Sequence, residues 1–190
     1  MNPTISISAD LSLRVLRPNE ADSIYKLVHK NREHLRRWLP WVDATRSSAD
    51  CRKYLETSYS GFLKGDGFNY GIRSKGKLVG TIGFHGFDKI NLVTSLGYWL
   101  AKDACGQGIM WQSAQACTEY AIKEREMNRV YIRCATGNES SKRIPKTLGY
   151  TYEGTQRQAE WLYDHFVDLE VYSMLAAEWD NSVPGLVGPL

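Results

Sequence analysis

The sequence predicts one α+β domain, a mixed and mostly antiparallel sheet of about seven strands flanked by helices. Three observations lead there. The segments run strand, helices, three strands, helix, strand, helix, strand, strand, so helices alternate with strands only in the second half. That order gives a sheet that is antiparallel first and locally parallel around residue 130, not a doubly wound parallel one. The 190 residues are 43% hydrophobic and 24% charged, enough for one core and too few for two substantial domains. With no internal repeat and no linker, residues 1–180 read as a single domain.

Each segment carries its own signal. Leu11–Arg17 alternates apolar and polar residues, and Pro18 closes it. Asn19 can cap a helix through about Lys30, with Ala21, Ile24, Leu27 and Val28 on one face. Asn31–Leu39 follows as a short helix stopped by Pro40. Ser47 or Ser48 can cap a third, through Cys51, Leu55 and Phe62 to Gly65. Phe68–Arg73, Lys77–Phe87 and Leu92–Ala101 are strand-like, with Ser74-Lys75-Gly76-Lys77 as a hairpin turn. Residues 106–126 read as a long helix, Val130–Ala135 as a buried strand and Glu139–Leu148 as a short helix. Tyr150–Leu162 and Phe166–Leu175 are long strands joined at Tyr163-Asp164. Residues 181–190 contain Pro and Gly but no charge, and read as a loose tail.

Composition removes several function classes. Lys and Arg number 24 against 21 Asp and Glu, a net charge of +3, and the two signs are interleaved. No basic stripe argues for nucleic acid. No apolar run approaches the ~18 residues of a membrane span, and Met1–Asp10 lacks the basic-then-apolar order of a signal peptide. Cys51, Cys105, Cys117 and Cys134 form no CxxC, and His29, His34, His85 and His165 are scattered. The expectation is a cytoplasmic protein with free thiols, no metal and no membrane partner.

The most informative local feature is Tyr98-Trp-Leu-Ala-Lys-Asp-Ala-Cys-Gly-Gln-Gly-Ile-Met110. A strand ends, a short turn follows, and a helix opens near Gly108. Gly106 and Gly108 let backbone N–H groups converge, and the helix N-terminus adds partial positive charge, which suits a phosphate. A glycine turn with no ligand is the other reading. It is not a Walker A loop, and the third glycine of a dinucleotide fingerprint is missing.

Further motifs follow in register: Gly97-Tyr-Trp-Leu100, Gly106-Gln-Gly-Ile-Met110, Asn128-Arg-Val-Tyr-Ile-Arg-Cys134, Asn138-Glu-Ser-Ser141, Leu148-Gly-Tyr150, Glu153-Gly154 and Arg157-Gln-Ala-Glu-Trp161. Together, over roughly residues 10–178, they resemble the Gcn5-related N-acetyltransferases (GNAT), and within them the bacterial branch that acetylates N-termini of ribosomal proteins. The resemblance implies a sheet splayed into a V between its fourth and fifth strands, with acetyl-CoA in the opening. It also implies coenzyme contacts from Leu100, from Cys105, Gly106, Gln107, Gly108, Ile109 and Met110, and from Asn138, Ser141 and Arg143. The chemistry agrees. Amides at Gly106–Met110 can cradle a pyrophosphate. The strand ending at Leu100 can pair with the pantetheine amides as with an added strand. Asn138 offers a donor and an acceptor.

The chain departs from the family pattern twice. Cys105 stands where Gln or Arg is usual, so a side-chain contribution is lost while the backbone donors remain. Pro145 lies inside the short helix after Asn138. It predicts a kink and a lost hydrogen bond, worth up to ~3 kcal/mol, which bears on Ser141, Arg143 and coenzyme binding.

Acetyl transfer needs a neutral amine and a leaving thiolate that regains a proton. Freeing a lysine at pH 7 costs about 4–5 kcal/mol, against about 1 for an α-amine, so an N-terminal acetyltransferase can use a modest base. Glu160 is the candidate. Strand alternation puts Gln158, Glu160 and Leu162 on one face, and aromatic neighbours would raise the carboxyl pKa. A solvated strand glutamate is the plain alternative, and the resemblance favours the base. Ser141 is the matching candidate for a hydrogen bond to the developing thiolate, or else a helix cap. Tyr150 and Tyr152 are further hydroxyls, with Tyr150 suited to the core. His85 reads as a second base, an acceptor contact or a structural histidine. Cys134 reads as a small core residue. No histidine partner is evident for Cys105, so a covalent acetyl-cysteine is not favoured. Trp38 and Trp41 read either as a wall of the acceptor pocket or as core anchors.

The function expected is acetyl-CoA-dependent N-acetylation, with a protein N-terminus as acceptor. A small amine (polyamine or aminoglycoside) as acceptor and an inactive coenzyme-binding module are the alternatives. A homodimer is a further expectation.

Overall fold

The computed structural model describes residues 3–182, beginning with two antiparallel strands, β1 (Thr4–Ser6) and β2 (Leu11–Val15). Alternation buries Leu11, Leu13 and Val15, as the sequence predicts. β1 is too short to show a period, so it adds an unpredicted strand at the sheet edge.

Three helices follow. A 3-10 turn at Pro18–Glu20 precedes α1 (Ala21–Lys30). Asn19 is not its cap: the Glu20 carboxylate reaches back to accept the Arg17 N–H at 3.0 Å. α2 is only Arg32–Arg36, because the Trp38 and Leu39 amides both turn back onto the Leu35 carbonyl before Pro40. α3 (Ser48–Lys64) has the predicted limits. The Ser47 hydroxyl accepts from the Asp50 amide, the Asp50 carboxylate accepts from the Ser47 amide, and Gly65 ends the helix at φ 76°.

β3 (Phe68–Ser74), β4 (Lys77–Asp88) and β5 (Val93–Leu100) form a meander. Lys75 and Gly76, both at positive φ, make the predicted tight turn. The long helix expected over 106–126 is shorter and of two kinds. α4 (Ile109–Glu119) continues as a π turn over Tyr120–Glu124. The wider turn keeps Tyr120, Ala121 and Ile122 all buried, with the Tyr120 ring against Phe84 and Tyr70.

β6 (Arg129–Ala135) lies parallel to β5, α5 (Glu139–Thr147) follows, and β7 (Thr151–Leu162) and β8 (His165–Leu175) form the last hairpin. The sheet order is β1-β2-β3-β4-β5-β6-β8-β7. α6 (Ala176–Ser182) carries helix into the stretch expected to be loose, and residues 183–190 of that expected tail lie outside the described residues.

One core unites Phe68, Tyr70, Ile72, Phe84 and Ile132 with α4. Gly71 points the other way, onto Leu16, whose cluster with Ile24, Val28, Cys51 and Leu55 fills the space under α1–α3. The feature that makes a site is a failure of pairing. β5 and β6 pair from Val93–Arg129 to Leu96–Ile132 and no further, although β5 runs to Leu100 and β6 to Ala135. This is the predicted V, between the fourth and fifth strands counted from Leu11.

Candidate active site

A cavity of about 610 Å³ fills the opening of the V. Tyr98, Cys134, Asn138, Ser141, Glu160, His85, Trp38 and Trp41 all line it. The structure thus brings together Glu160 and Ser141, the two tryptophans expected at the acceptor, and two of the predicted coenzyme contacts, Asn138 and Ser141 itself.

Glu160 arrives by an irregularity. β7 and β8 pair at Gln156–Leu169 and again at Glu160–Val167, so three residues of β7 face one of β8. Gln158 takes φ 50° there and its amide donates to Asp168 Oδ1 at 2.7 Å. This corrects the expected face: Gln158 sits in the bulge, exposed, while Glu160 re-enters the ladder half-buried. Burial raises the Glu160 carboxyl above its usual range, and Arg133 partly opposes the shift.

His85 is also placed by a bulge. The β4–β5 register slips between Phe84 and Phe87, with Gly86 at φ 125°, which keeps both phenylalanines buried and turns His85 to the cavity. Its Nδ1 lies 3.4 Å from Ser95 Oγ. A Cβ on Gly97 would stand 2.5 Å from the ring, so the imidazole rests on that glycine. Surrounding protein lowers its pKa, and Arg133 adds to the effect. His85 therefore stays neutral at neutral pH.

Ser141 is not the helix cap. Asn138 is, its Oδ1 accepting the Ser141 amide at 3.2 Å, which commits the acceptor expected to serve the coenzyme arm. Ser141 Oγ lies 3.2 Å from Cys134 Sγ and donates to Tyr98 Oη at 3.5 Å. Burial keeps the Tyr98 phenol and the Cys134 thiol protonated. Tyr98 is the hydroxyl that sequence reasoning missed. Tyr150 is buried against Thr118, and Tyr152 is exposed beside Thr155.

Pro145 does not break α5. Its ring falls in the last turn and is buried, and the helix continues to Thr147. Beneath it, buried Lys142 bonds Glu170 of β8 at 3.0 Å and Glu139 at 2.7 Å, fixing α5 against the sheet. Arg143, a predicted coenzyme contact, is exposed and does not line the cavity.

The glycine turn lies beyond the cavity wall. Gly106 and Gly108 adopt φ 77° and 72°, and a Cβ on Gly106 would meet nothing within 4 Å. α4 has no side-chain cap, and no described group accepts the amides of Gly106, Gln107, Gly108, Ile109 or Met110. Ile109 and Met110 bury their side chains, and Leu100 pairs with Gly80, so these three offer backbone only. Open amides at a helix N-terminus, together with an unpaired β5 edge, fit a pyrophosphate joined to an amide-bearing arm. The Cys105 surroundings differ from expectation, because His34 Nε2 stands 3.8 Å from Sγ. Burial raises the thiol and lowers the imidazole, so both stay neutral and no thiolate nucleophile forms.

On the acceptor side, Trp41 is exposed and leans on Trp99 at 6.1 Å, while Trp38 reaches Gly137 across the opening. Both line the cavity and neither is buried in the core. Tyr163 of the β7–β8 turn donates to the Leu39 carbonyl at 2.6 Å and carries the Arg36 guanidinium 3.9 Å over its ring. The segment bearing Trp38 and Trp41 and the hairpin bearing Glu160 are thereby tied together.

Comparison with known proteins agrees with this geometry. A family model described as acetyltransferase (GNAT) domain matches residues 10–151. YdaF of Bacillus subtilis, provisionally named a ribosomal N-acetyltransferase, is 33% identical over 94% of this chain and 98% of its own. The ribosomal-protein-serine acetyltransferase of Escherichia coli is 30% identical over 92% and 98%. A solved complex of the ribosomal L7/L12 α-N-protein acetyltransferase RimL with coenzyme A superimposes with a TM-score of 0.88. It is 28% identical and covers 92% of this chain and 99% of that one.

Proposed function

The chain belongs to the GNAT-domain acetyltransferases and is an acetyl-CoA-dependent N-acetyltransferase, and from that premise we propose that its acceptor is the N-terminal α-amine of a ribosomal protein. Bound acetyl-CoA supplies an acetyl thioester to the site. The amides of Gly106–Met110 hold its pyrophosphate, and the free edge of β5 up to Leu100 aligns its arm. Glu160 takes the proton of the acceptor amine. A partly desolvated carboxylate is a modest base, sufficient for an α-amine of pKa ~7.7–8.0 and poorly matched to a lysine of ~10.4. Ser141 turns its hydroxyl hydrogen from Tyr98 Oη to the departing sulfur and donates a hydrogen bond there.

The observation that carries this reading is Glu160, turned by the β7 bulge into the same cavity as Ser141. A polyamine or aminoglycoside would need several free carboxylates. Among the described residues only two carboxylates line the cavity, Glu160 and Asp50, and Asp50 Oδ2 already accepts from the Ser47 hydroxyl and the Arg46 and Ser47 amides. The cytoplasm is the compartment implied, and among the described residues no helix is long and apolar enough to cross a membrane. The exposed Trp161–Phe166 pair offers a face for a homodimer, which sedimentation velocity would detect.

The test is acetyl-CoA turnover with ribosomal-protein N-terminal peptides, the same peptides blocked at the α-amine, and polyamines, read by mass spectrometry. Acetyl gain on free N-termini alone supports the reading. Gain only on lysine side chains or polyamines overturns it.

A further inference from the structure

β6 runs past two concavities. Its Val130, Ile132 and Cys134 are buried, while Arg129, Tyr131 and Arg133 alternate onto the opposite, less buried face. A groove of about 420 Å³ lies there, walled by Arg129, Tyr131, Glu153, Gln156 and Val171. Arg133 lines both this groove and the active-site cavity.

The charges of the groove are unequally satisfied. Arg129 forms a bidentate pair with Glu153 at 2.5 Å, and Glu153 also accepts from Ser173 at 2.8 Å. Arg133 is exposed and makes no hydrogen bond or ion pair with any described residue. One guanidinium with no hydrogen-bonded or ion-paired partner among the described residues therefore borders both concavities. A guanidinium presents a planar fork of donors that matches a carboxylate.

Resting on the α-amine reading above, we propose that this groove holds the acceptor residues that follow the reacting amine. In it, Arg133 selects acceptors with an Asp or Glu side chain among their first few residues. An extended peptide advances about 3.3 Å per residue, so a chain whose amine lies at Glu160 reaches the groove within a few residues. The Arg133 side chain shared by the two concavities, and its lack of a hydrogen-bonded or ion-paired partner among the described residues, both point to this occupant.

The experiment compares Ser-initiated heptapeptides that carry Asp at position two, three or four with their Asn twins. Steady-state kinetics are measured for the wild type and for Arg133→Gln. For the wild type, KM for one or more acidic peptides is expected at least about tenfold below that of its twin. In Arg133→Gln the ratio falls below about twofold, whatever common change in kcat comes from altering the neighbourhood of Glu160. Equal KM for acidic and amide peptides in the wild type overturns the proposal while leaving the α-amine reading intact. So does a preference that survives in Arg133→Gln. If no peptide is acetylated and polyamines are, both fall. A wild-type dimer that dissociates in Arg133→Glu assigns the groove to a second copy of the chain and overturns the peptide subsite.

Discussion

The Tyr98 hydroxyl donates a 3.1 Å hydrogen bond to the Ser141 carbonyl, the carbonyl that Pro145 leaves without its helical partner. In an α-helix that oxygen would take the N–H four residues on, and proline has none. A strand on one side of the V thus completes a helix on the other. It does so at the residue proposed to hydrogen-bond the departing sulfur.

Tyr98→Phe should therefore act on both stability and catalysis. A carbonyl left unsatisfied costs about 1–3 kcal/mol, and a melting experiment should show the loss. The double variant Tyr98→Phe with Pro145→Ala should recover most of that stability, because an alanine in place of the proline would supply the missing N–H. It should not recover kcat, since the hydroxyl beside Ser141 Oγ stays absent. Full recovery of kcat would reduce Tyr98 to a structural brace.

Gly108→Val should weaken acetyl-CoA binding about tenfold or more, about 1.4 kcal/mol by calorimetry. The reason is backbone conformation. At φ 72° a β-branched residue is strained, and the turn would swing its amides away from the phosphate position. Unchanged affinity in a folded variant would remove the turn from the coenzyme site.

Gly97→Ala tests how His85 is held. The added Cβ would lie 2.5 Å from the ring and push it into the cavity. KM for the acceptor should rise several-fold, and His85→Ala should restore it by making room. A KM unchanged in Gly97→Ala would show that the imidazole can move aside freely.

These sites show what the sequence made legible. The Ser47 and Gly65 signals set the ends of α3 because caps are local chemistry. The glycine turn could be read because positive φ is written in residue type. Pro145 also announced a missing hydrogen bond, but its remedy lies on β5, far away in sequence. Gln158 misled the reading, since strand alternation assumes an unbroken ladder and the bulge is set by the partner strand through Asp168. His34 near Cys105, and Arg133 close enough to act on both His85 and Glu160, are likewise products of tertiary packing that no spacing announces.

Glu160→Gln should lower kcat about 10²–10⁴-fold with little change in acetyl-CoA affinity, because the amide keeps the shape but cannot accept the amine proton. Raising the pH should restore rate as the acceptor deprotonates in solution, between about pH 8 and 9 for an α-amine and only above about pH 10 for a lysine. In the wild type, activity should fall on acidification as Glu160 takes up a proton. That limb should lie above the ordinary carboxylate value of ~4.3, since burial raises this group. Arg133 opposes the shift, so Arg133→Gln should move the limb to still higher pH. Neutral His85 exerts no compensating charge, because burial and Arg133 both hold its pKa down. The pH profile of kcat/KM measures both effects. An acid limb that moves down in Arg133→Gln, or that persists unchanged in Glu160→Gln, would assign the base to another group.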